Sequence, residues 1–322
     1  MAKTPAKTKK TKQKASPAPK PANARQLKQP KYASFKLSKT VIKGEKLPSA
    51  FRLFRDAGSV LFRNWKIFLF VLLIYGLVNA LLVQGFRASG DVATAKDSFS
   101  HLFGGSLAQF TNGLTLFAFM LGSSGNTTNA TAGVYQFIMV ILTSLALIWI
   151  LRQLFAGSQV RMRDGFYRGM TPLVPFLLVL IVIGLELIPM AVGLMLYGFI
   201  VSNGIAASML EQILWAMVAF IGIVITLYML TSSLFALYIV TLPDMTPMKA
   251  LRTARQVVAN RRWMVLRKIL FLPLVLCVLA GLVIIPIIVF ATPLAVWAFF
   301  LLTMLLWPVL HSYMYVLYRA MI

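Results

Sequence analysis

The stretch LPDMTPMKALRTARQVVANRRWMVLRK, residues 242 to 268, separates two strongly apolar runs and carries seven Lys or Arg but a single acid, Asp244. Charge of this sign and density between apolar runs is typical of a loop on the cytoplasmic side of a membrane, because such loops carry an excess of Lys and Arg. The stretch therefore predicts both a turn between two membrane crossings and the side on which it lies.

The composition of the whole chain agrees with a membrane protein. Of its 322 residues, 59% are hydrophobic and 12% are charged, and the mean hydropathy is +0.80, whereas soluble proteins contain about 25% charged residues. Crossing roughly 30 Å of hydrocarbon takes about 20 apolar residues. The sequence predicts an all-α polytopic membrane protein with six transmembrane helices, at residues 67–83, 134–151, 173–197, 213–240, 269–290 and 294–317.

The basic residues fall on alternate connections between these spans. Eighteen Lys or Arg precede the first span, four lie between the second and third, seven between the fourth and fifth, and Arg319 follows the sixth. The other two, Arg87 and Lys96, share the first outer loop with Asp91 and Asp97. The positive-inside rule then predicts three hairpins with both termini in the cytoplasm.

One segment is an alternative seventh crossing. HLFGGSLAQFTNGLTLFAFML, residues 101–121, is mildly apolar, and counting it as a span would move the loop after span two to the outer side. Its large apolar residues recur every three or four positions and are interrupted by Gly104, Gly105 and Asn112. This pattern favours a broken amphipathic helix that lies on the outer face or is tucked into it.

Residues 1–45 are predicted to be a disordered, basic cytoplasmic tail, and residues 46–322 the six-helix transmembrane domain. The first 40 residues hold twelve Lys or Arg and no acid, so they bury too little apolar surface to offset the entropy of ordering. Lys-rich arms bind polyanions, which makes a polyanion or a protein partner possible for this tail. About 66 residues precede the first span, unlike a secretory signal peptide, so we expect that span to be retained.

The opening stretch contains the signals of a basic amphipathic helix. Thr246 followed by Pro247 predicts a helix start, because a hydroxyl can cap free N–H groups and proline loses no donor at the first helical position. One arc of the helix is apolar and the other basic. We expect the helix to end near Asn260, since Arg261 would fall on the apolar arc. Such a helix is expected at the inner interface, where each Lys or Arg near anionic lipid contributes about 1 kcal/mol.

Related patterns precede the first and third spans. AFRLFR (50–55) followed by RNW (63–65) matches ALRTAR (250–255) followed by RRW (261–263), and QVRMRDGFYRGMTPLVPFL (159–177) again has Thr-Pro before an apolar run. The patterns predict an interfacial helix plus a membrane hairpin, used three times as parallel repeats. The residues expected to face anionic headgroups are Lys249, Arg252, Arg255, Arg261, Arg262, Arg52, Arg55, Arg63, Arg161 and Arg163.

This layout resembles bacterial integral membrane proteins related to the membrane domain attached to some glycerophosphodiester phosphodiesterases. The resemblance covers residues 45 to 322 and includes the phrase TPMKALRTARQVVANRRW (246–263). It implies a six-helix domain of the inner (plasma) membrane and supplies no functional residues. The sequence contains no soluble phosphodiesterase domain, so we expect no lipid hydrolysis.

Ionisable side chains inside the spans are candidate functional groups, because charge is costly in hydrocarbon. At about 1.5 Å per residue from the cytoplasmic ends, Glu186 lies about 20 Å deep and His311 about 12 Å, which argues against a direct pair. Asn79 and Thr226, about 18 Å and 21 Å deep, are closer to Glu186 in depth and are the better candidate partners. We interpret Glu186, beside a kink at Pro189, as a neutral acid bonded to a neighbouring helix, and a proton- or cation-responsive site as its alternative.

The sequence shows no catalytic constellation. Its eight acids are scattered singly, neither histidine has a ligand at metal spacing, and no phosphate-binding loop or nucleophile motif is present. Cys277 is the only cysteine, which excludes a disulfide within the chain. We therefore expect no cofactor, no metal and no enzyme activity, with an intramembrane enzyme built from distant residues as the remaining alternative.

Two functions fit these features. The first is a non-enzymatic inner-membrane protein that organises or maintains the membrane, with anionic lipid as its partner. The second is a small-solute or ion transporter or channel, with Glu186 on the path. Transporters usually hold several polar groups at one depth in the membrane. Here only one acid, Glu186, lies near two weakly polar residues at a similar depth, so we favour the first function.

Overall fold

The computed structural model describes residues 47–83, 130–158, 160–206 and 208–322. The chain divides after Glu45, and all described residues belong to the second unit, Lys46–Ile322. The predicted tail, residues 1–45, and the mildly apolar segment 101–121 lie outside the described residues, so both stay predictions.

The described part of the chain is all-helical. Six of its helical stretches are long and apolar enough to cross a membrane, which confirms an all-α fold with six candidate spans. In chain order the helices are α1 (Ala50–Arg63), α2 (Trp65–Val78, continued by a π-helical turn, Asn79–Val83), α3 (Ala130–Phe155), α4 (Met162–Gly169), α5 (Leu173–Glu186), α6 (Ile188–Ser202), α7 (Met209–Ile239), α8 (Pro247–Val258), α9 (Arg262–Phe290) and α10 (Thr292–Met321).

Five helix pairs make the closest packing in the described bundle. Helix α6 lies mainly against α7, α8 also against α7, α4 against α3, α9 against α10, and α1 along α10. Tyr75 of α2 packs with Phe300 and Met304 of α10 in a smaller cluster. These contacts bring the short helices α1 and α4 onto long ones.

The longest helices exceed the thickness of a bilayer. Helix α7 has 31 residues and α10 has 30, about 45 Å each, against roughly 30 Å of hydrocarbon. The side chains of α7 are mostly exposed up to position 230 and mostly buried over 231–240. Segments 141–151 of α3 and 311–318 of α10 are buried in the same core. The densest packing thus lies where α3, α7 and α10 end.

Helix α8 covers part of this core with its apolar face. Ala250, Ala254 and Val258 are fully buried and pack mainly against α7. Arg252 and Arg255, on the other face, are exposed. An interfacial helix would place its apolar arc in lipid, whereas this arc is covered by protein. Only the basic face of α8 is therefore available to headgroups.

Helices α1 and α8 begin in the same way. The Ser49 hydroxyl accepts a hydrogen bond from the Arg52 N–H at 3.3 Å, and the Thr246 hydroxyl accepts one from the Lys249 N–H at 3.4 Å. Both satisfy an N–H group that the first helical turn leaves unpaired. The predicted start of α8 is confirmed, and the helix ends at Val258, two residues before the predicted end.

When α1 and α8 are aligned by their N-caps and buried residues, the offset between them differs from the offset of the similar sequence phrases. The caps Ser49 and Thr246 are 197 positions apart, and so are the buried residues Leu53 and Ala250. The phrases AFRLFR and ALRTAR are 200 positions apart. The arginines compared in those phrases are therefore not equivalent, because the caps and the buried faces set the register.

The unit before span three differs from the other two. Helix α4 has eight residues, and its N-cap residue Arg161 makes no side-chain cap bond. The Thr171 hydroxyl donates to the Arg168 carbonyl at 2.7 Å, so it closes α4 instead of capping α5. Of the three segments compared in sequence, therefore, only those that form α1 and α8 begin a helix with a hydroxyl cap.

The third span breaks at Leu187, between Glu186 and Pro189, as the sequence predicted. Proline has no N–H and its ring clashes with the preceding turn, so the helix cannot continue unchanged. The N–H of Met190 donates to the Thr226 hydroxyl of α7 at 3.2 Å. A neighbouring helix thus satisfies a backbone donor at the break, as is usual for interrupted membrane helices.

Candidate functional site

Glu186 is buried at the break between α5 and α6, with 4% of its surface exposed. Its Oε1 accepts a hydrogen bond from the Ser233 hydroxyl of α7 at 2.7 Å. Its Oε2 is buried and has no hydrogen-bond partner among the described residues. Buried polar atoms are normally paired, so this oxygen is the place where a proton or a small cation would be held.

The structure does not pair Glu186 with the residues matched to it by depth. Thr226 binds the α6 backbone instead, and the buried Oδ1 of Asn79, at the start of the π-helical turn, has no described partner. The depth estimate counted residues from Val240, and the residue of α7 that bonds Glu186 is Ser233, nearer that end of the helix. Ser233 is seven residues closer to that end than Thr226, about 10 Å along the helix.

His311 is bonded through both ring nitrogens. Its Nδ1 lies 3.1 Å from the Tyr238 hydroxyl of α7, and its Nε2 lies 3.1 Å from the Ser144 hydroxyl of α3. All three side chains are buried. The imidazole therefore joins three helices at one level, which fits a structural role. Neither Tyr238 nor Ser144 could be identified as a partner from the sequence, because both lie on other helices and no local spacing links them to His311.

Arg152, at the end of α3, binds the end of α7. Its Nη1 donates to the Thr241 carbonyl at 2.7 Å, and its Nη2 lies 3.5 Å from the Tyr238 carbonyl and also bonds the Thr241 hydroxyl. The carbonyls at a helix C-terminus carry partial negative charge, so a guanidinium there is stabilising. The sequence marked Arg152 as a loop charge and gave no sign of this contact.

Aromatic rings surround this polar contact. The Tyr238 ring stacks on Tyr318 at 6.3 Å between centroids and lies 6.2 Å from Tyr315. The guanidinium of Arg319 lies 4.7 Å over the ring of Phe155. The ends of α3, α7 and α10 are thus joined by the hydrogen bonds of Arg152 and His311, and aromatic rings pack around these bonds.

Most of the residues predicted to face anionic lipid lie on the surface. The exposed ones are Lys249, Arg252, Arg255, Arg52, Arg55, Arg63, Arg161 and Arg163, whereas Arg261 and Arg262 are half-buried.

Large aromatic side chains are exposed beside these cations. Phe51 and Phe62 of α1 are 71% and 82% exposed, and Trp263 at the start of α9 is 81% exposed. Phe51 and Phe62 are separated by three helical turns and share one face, while the buried Leu53 faces the opposite way. Exposed aromatic rings next to basic residues are typical of the membrane–water interface.

Lys268, near the start of α9, forms a hydrogen bond to the segment that precedes α1. Its side chain is 7% exposed and its Nζ donates to the Pro48 carbonyl. The Tyr313 hydroxyl of α10 donates to the Lys268 carbonyl at 2.9 Å. This lysine was counted as one of the loop charges, but it is engaged inside the protein.

The described residues contain no group of three or more His, Cys, Asp or Glu side chains that could hold a metal. Their polar clusters are instead the Glu186 pair, the His311 network and the basic surface of α1, α8 and α9. A comparison with known proteins finds no matching family model, no matching curated protein and no matching solved structure.

Proposed function

We propose that the protein is a non-enzymatic integral protein of a bacterial inner membrane that binds anionic lipid and organises the membrane around itself. Helix α1 is the main support. It is fixed to the bundle through Leu53 and Ala57, and on its opposite side it exposes Phe51 and Phe62 with Arg55 between them. A helix held in this way suits rings that enter the headgroup layer beside a cation.

The basic face of α8 supports the same function. Lys249, Arg252 and Arg255 are exposed on a helix of 12 residues. Because the apolar face packs on α7, the cations are held on a rigid support and less conformational entropy is lost when they meet headgroups. Each cation near an anionic surface contributes about 1 kcal/mol.

The proposed orientation has three membrane hairpins and both termini in the cytoplasm. It rests on the charge distribution, since 30 of the 32 Lys and Arg lie on connections of one side. The basic tail, residues 1–45, would then meet cytoplasmic polyanions or a protein partner. Labelling of a single cysteine at position 253 from outside intact cells would contradict this orientation.

The lipid proposal predicts a charge-dependent stabilisation. The purified protein is expected to melt at a higher temperature when phosphatidylglycerol replaces phosphatidylcholine, because a ligand of the folded state stabilises it. The triple variant Lys249→Gln, Arg252→Gln, Arg255→Gln is expected to lose most of this gain. At about 1 M salt, where the screening length is about 3 Å, the gain is expected to be small for both proteins.

The matched control keeps the charge of α8 and changes its side chains. Lys249→Arg, Arg252→Lys and Arg255→Lys together are expected to retain the stabilisation by phosphatidylglycerol. Equal melting temperatures of the wild-type protein in the two lipids would refute the proposed function.

A small-solute or ion transporter is the second candidate, and one observation favours it. The unbonded Oε2 of Glu186 lies at a broken helix, and interrupted membrane helices are where many transporters bind protons or cations. The other buried hydroxyls on α7 have partners of their own: Thr231 bonds the Leu227 carbonyl, Ser232 the Met229 carbonyl, Thr226 the Met190 N–H and Tyr238 the ring of His311. They extend no polar path from Glu186, so we keep transport second.

Variants of Glu186 separate the two candidates. Glu186→Gln keeps the size of the side chain and an oxygen for the Ser233 hydroxyl, so the melting temperature should hardly change. Glu186→Leu removes the interhelical bond and leaves the Ser233 hydroxyl only the Met229 carbonyl, at 3.4 Å, a loss of about 0.6 kcal/mol for an average interhelical hydrogen bond in a membrane. If the group exchanges protons, Glu186→Gln abolishes function, because an amide cannot titrate. A complementation assay with parallel melting curves decides: a stable but inactive Glu186→Gln protein would favour the transporter.

A further inference from the structure

We infer that the start of α9 is a binding site for one anionic phospholipid, with its phosphate held by Arg262 and Arg267. The inference rests on the proposed function and adds the place and the stoichiometry of binding. A groove of about 650 Å³ opens there, lined by the turn after α8 and the first turns of α9, including Asn260, Trp263 and Leu270. That volume lies within the range of sites that hold small ligands, about 300–1,000 Å³.

The charge of the groove selects an anion. No acidic residue is among the described residues that line it, and three arginines, Arg261, Arg262 and Arg267, line it together with the exposed Trp263. The guanidinium of Arg262 lies 4.4 Å over the ring of Tyr228, a contact that orients it while leaving the in-plane N–H groups free to donate. Arg267 is exposed. Arginine matches phosphate oxygens with pairs of parallel donors.

The shape beyond the groove selects a lipid over a soluble anion. Trp263, Arg267, Leu270, Leu274 and Val278 recur at intervals of three and four residues, and all are exposed, so they form one stripe along α9. The stripe is about 22 Å long, close to one leaflet with its headgroups, which is half of about 40–45 Å. Cations at one end and apolar side chains along the rest match the headgroup and acyl chain of a phospholipid.

Native mass spectrometry of the full chain titrated with phosphatidylglycerol tests the site. We expect one tightly held lipid per wild-type chain, and a loss of affinity of about 30-fold in the double variant Arg262→Gln, Arg267→Gln, since each cation near anionic lipid accounts for about a fivefold effect. The control Lys66→Gln, Arg168→Gln removes the same charge from two exposed positions outside both the groove and α8, and is expected to keep the tight lipid. Arg267→Lys, which keeps the charge, is expected to lose less than the double variant.

The outcomes are distinguishable from failure of the proposed function. Equal affinity in the two double variants, with melting curves showing that both are folded, would overturn the site while leaving lipid stabilisation of the wild-type protein in place. Displacement of the lipid by glycerol phosphate would show a soluble-anion site and overturn the lipid assignment. A wild-type protein that binds no phosphatidylglycerol in either assay would overturn both.

Discussion

The Gly222→Ala variant is expected to melt well below the wild-type protein, at a cost of about 2–3 kcal/mol, because the added methyl group has no room. Its Cβ would lie 2.6 Å from the carbonyl oxygen of Pro189 and 3.2 Å from the carbonyl carbon. Both atoms belong to the backbone of α6, so no side-chain rotation relieves the clash. Helices α6 and α7 must move apart, which also lengthens the bond from the Met190 N–H to Thr226 at the break.

Gly198 provides the matched control on α6. The same methyl group added there meets nothing within 4 Å, so Gly198→Ala should be neutral or slightly stabilising, by at most about 1 kcal/mol, through helix propensity. Gly193→Ala should fall between the two, since its Cβ would lie 3.1 Å from the Ala219 Cα. The measurement is thermal melting in one detergent. Equal melting temperatures for Gly222→Ala and Gly198→Ala would rule out close backbone contact between α6 and α7.

The spans and the break in the third span could be predicted because their causes are local. An apolar run is recognised by its own length, and Pro189 removes a donor from its own helix. The start of α8 is local as well, since Thr246 and Pro247 are adjacent in sequence. The structure confirms six long apolar helices, the break and the start of α8, with helix ends that differ from the predicted spans by up to seven residues.

The partner of Glu186 could not be predicted, because it depends on how far one helix extends past another. Phe235 and Ile239 near the end of α7 look equally apolar in sequence whether lipid or protein covers them. The structure buries both in the core. Ser233, and not the depth-matched Thr226, bonds Glu186.

Helix α8 shows that an amphipathic sequence pattern likewise does not tell whether lipid or protein covers its apolar face. An arc of small apolar residues such as Ala250 and Ala254 indicates a covered face but does not say what covers it. Small side chains allow close helix packing, and here they lie against α7. The contrast with α1 is informative, because Phe51 and Phe62 are large and exposed.

Removing the imidazole of His311 is expected to have the second large effect on stability. His311→Leu leaves the hydroxyls of Tyr238 and Ser144 buried without their shared partner, and each unpaired buried group costs about 1–3 kcal/mol. We expect a total loss of about 2–4 kcal/mol, measured as a lower melting temperature in detergent. Tyr238→Phe removes one of the two bonds and should cost about 1 kcal/mol.

A double-mutant cycle shows whether these losses come from the network itself. Once His311 is leucine, the Tyr238 hydroxyl has already lost its partner, so adding Tyr238→Phe should cost nothing or restore some stability. Tyr318→Phe is the control, because that ring stacks on Tyr238 but its hydroxyl has no hydrogen bond to a described residue, and its effect should be small in both backgrounds. Additive losses for His311→Leu and Tyr238→Phe would show that the imidazole does not bridge α7 and α3 as the 3.1 Å contacts indicate.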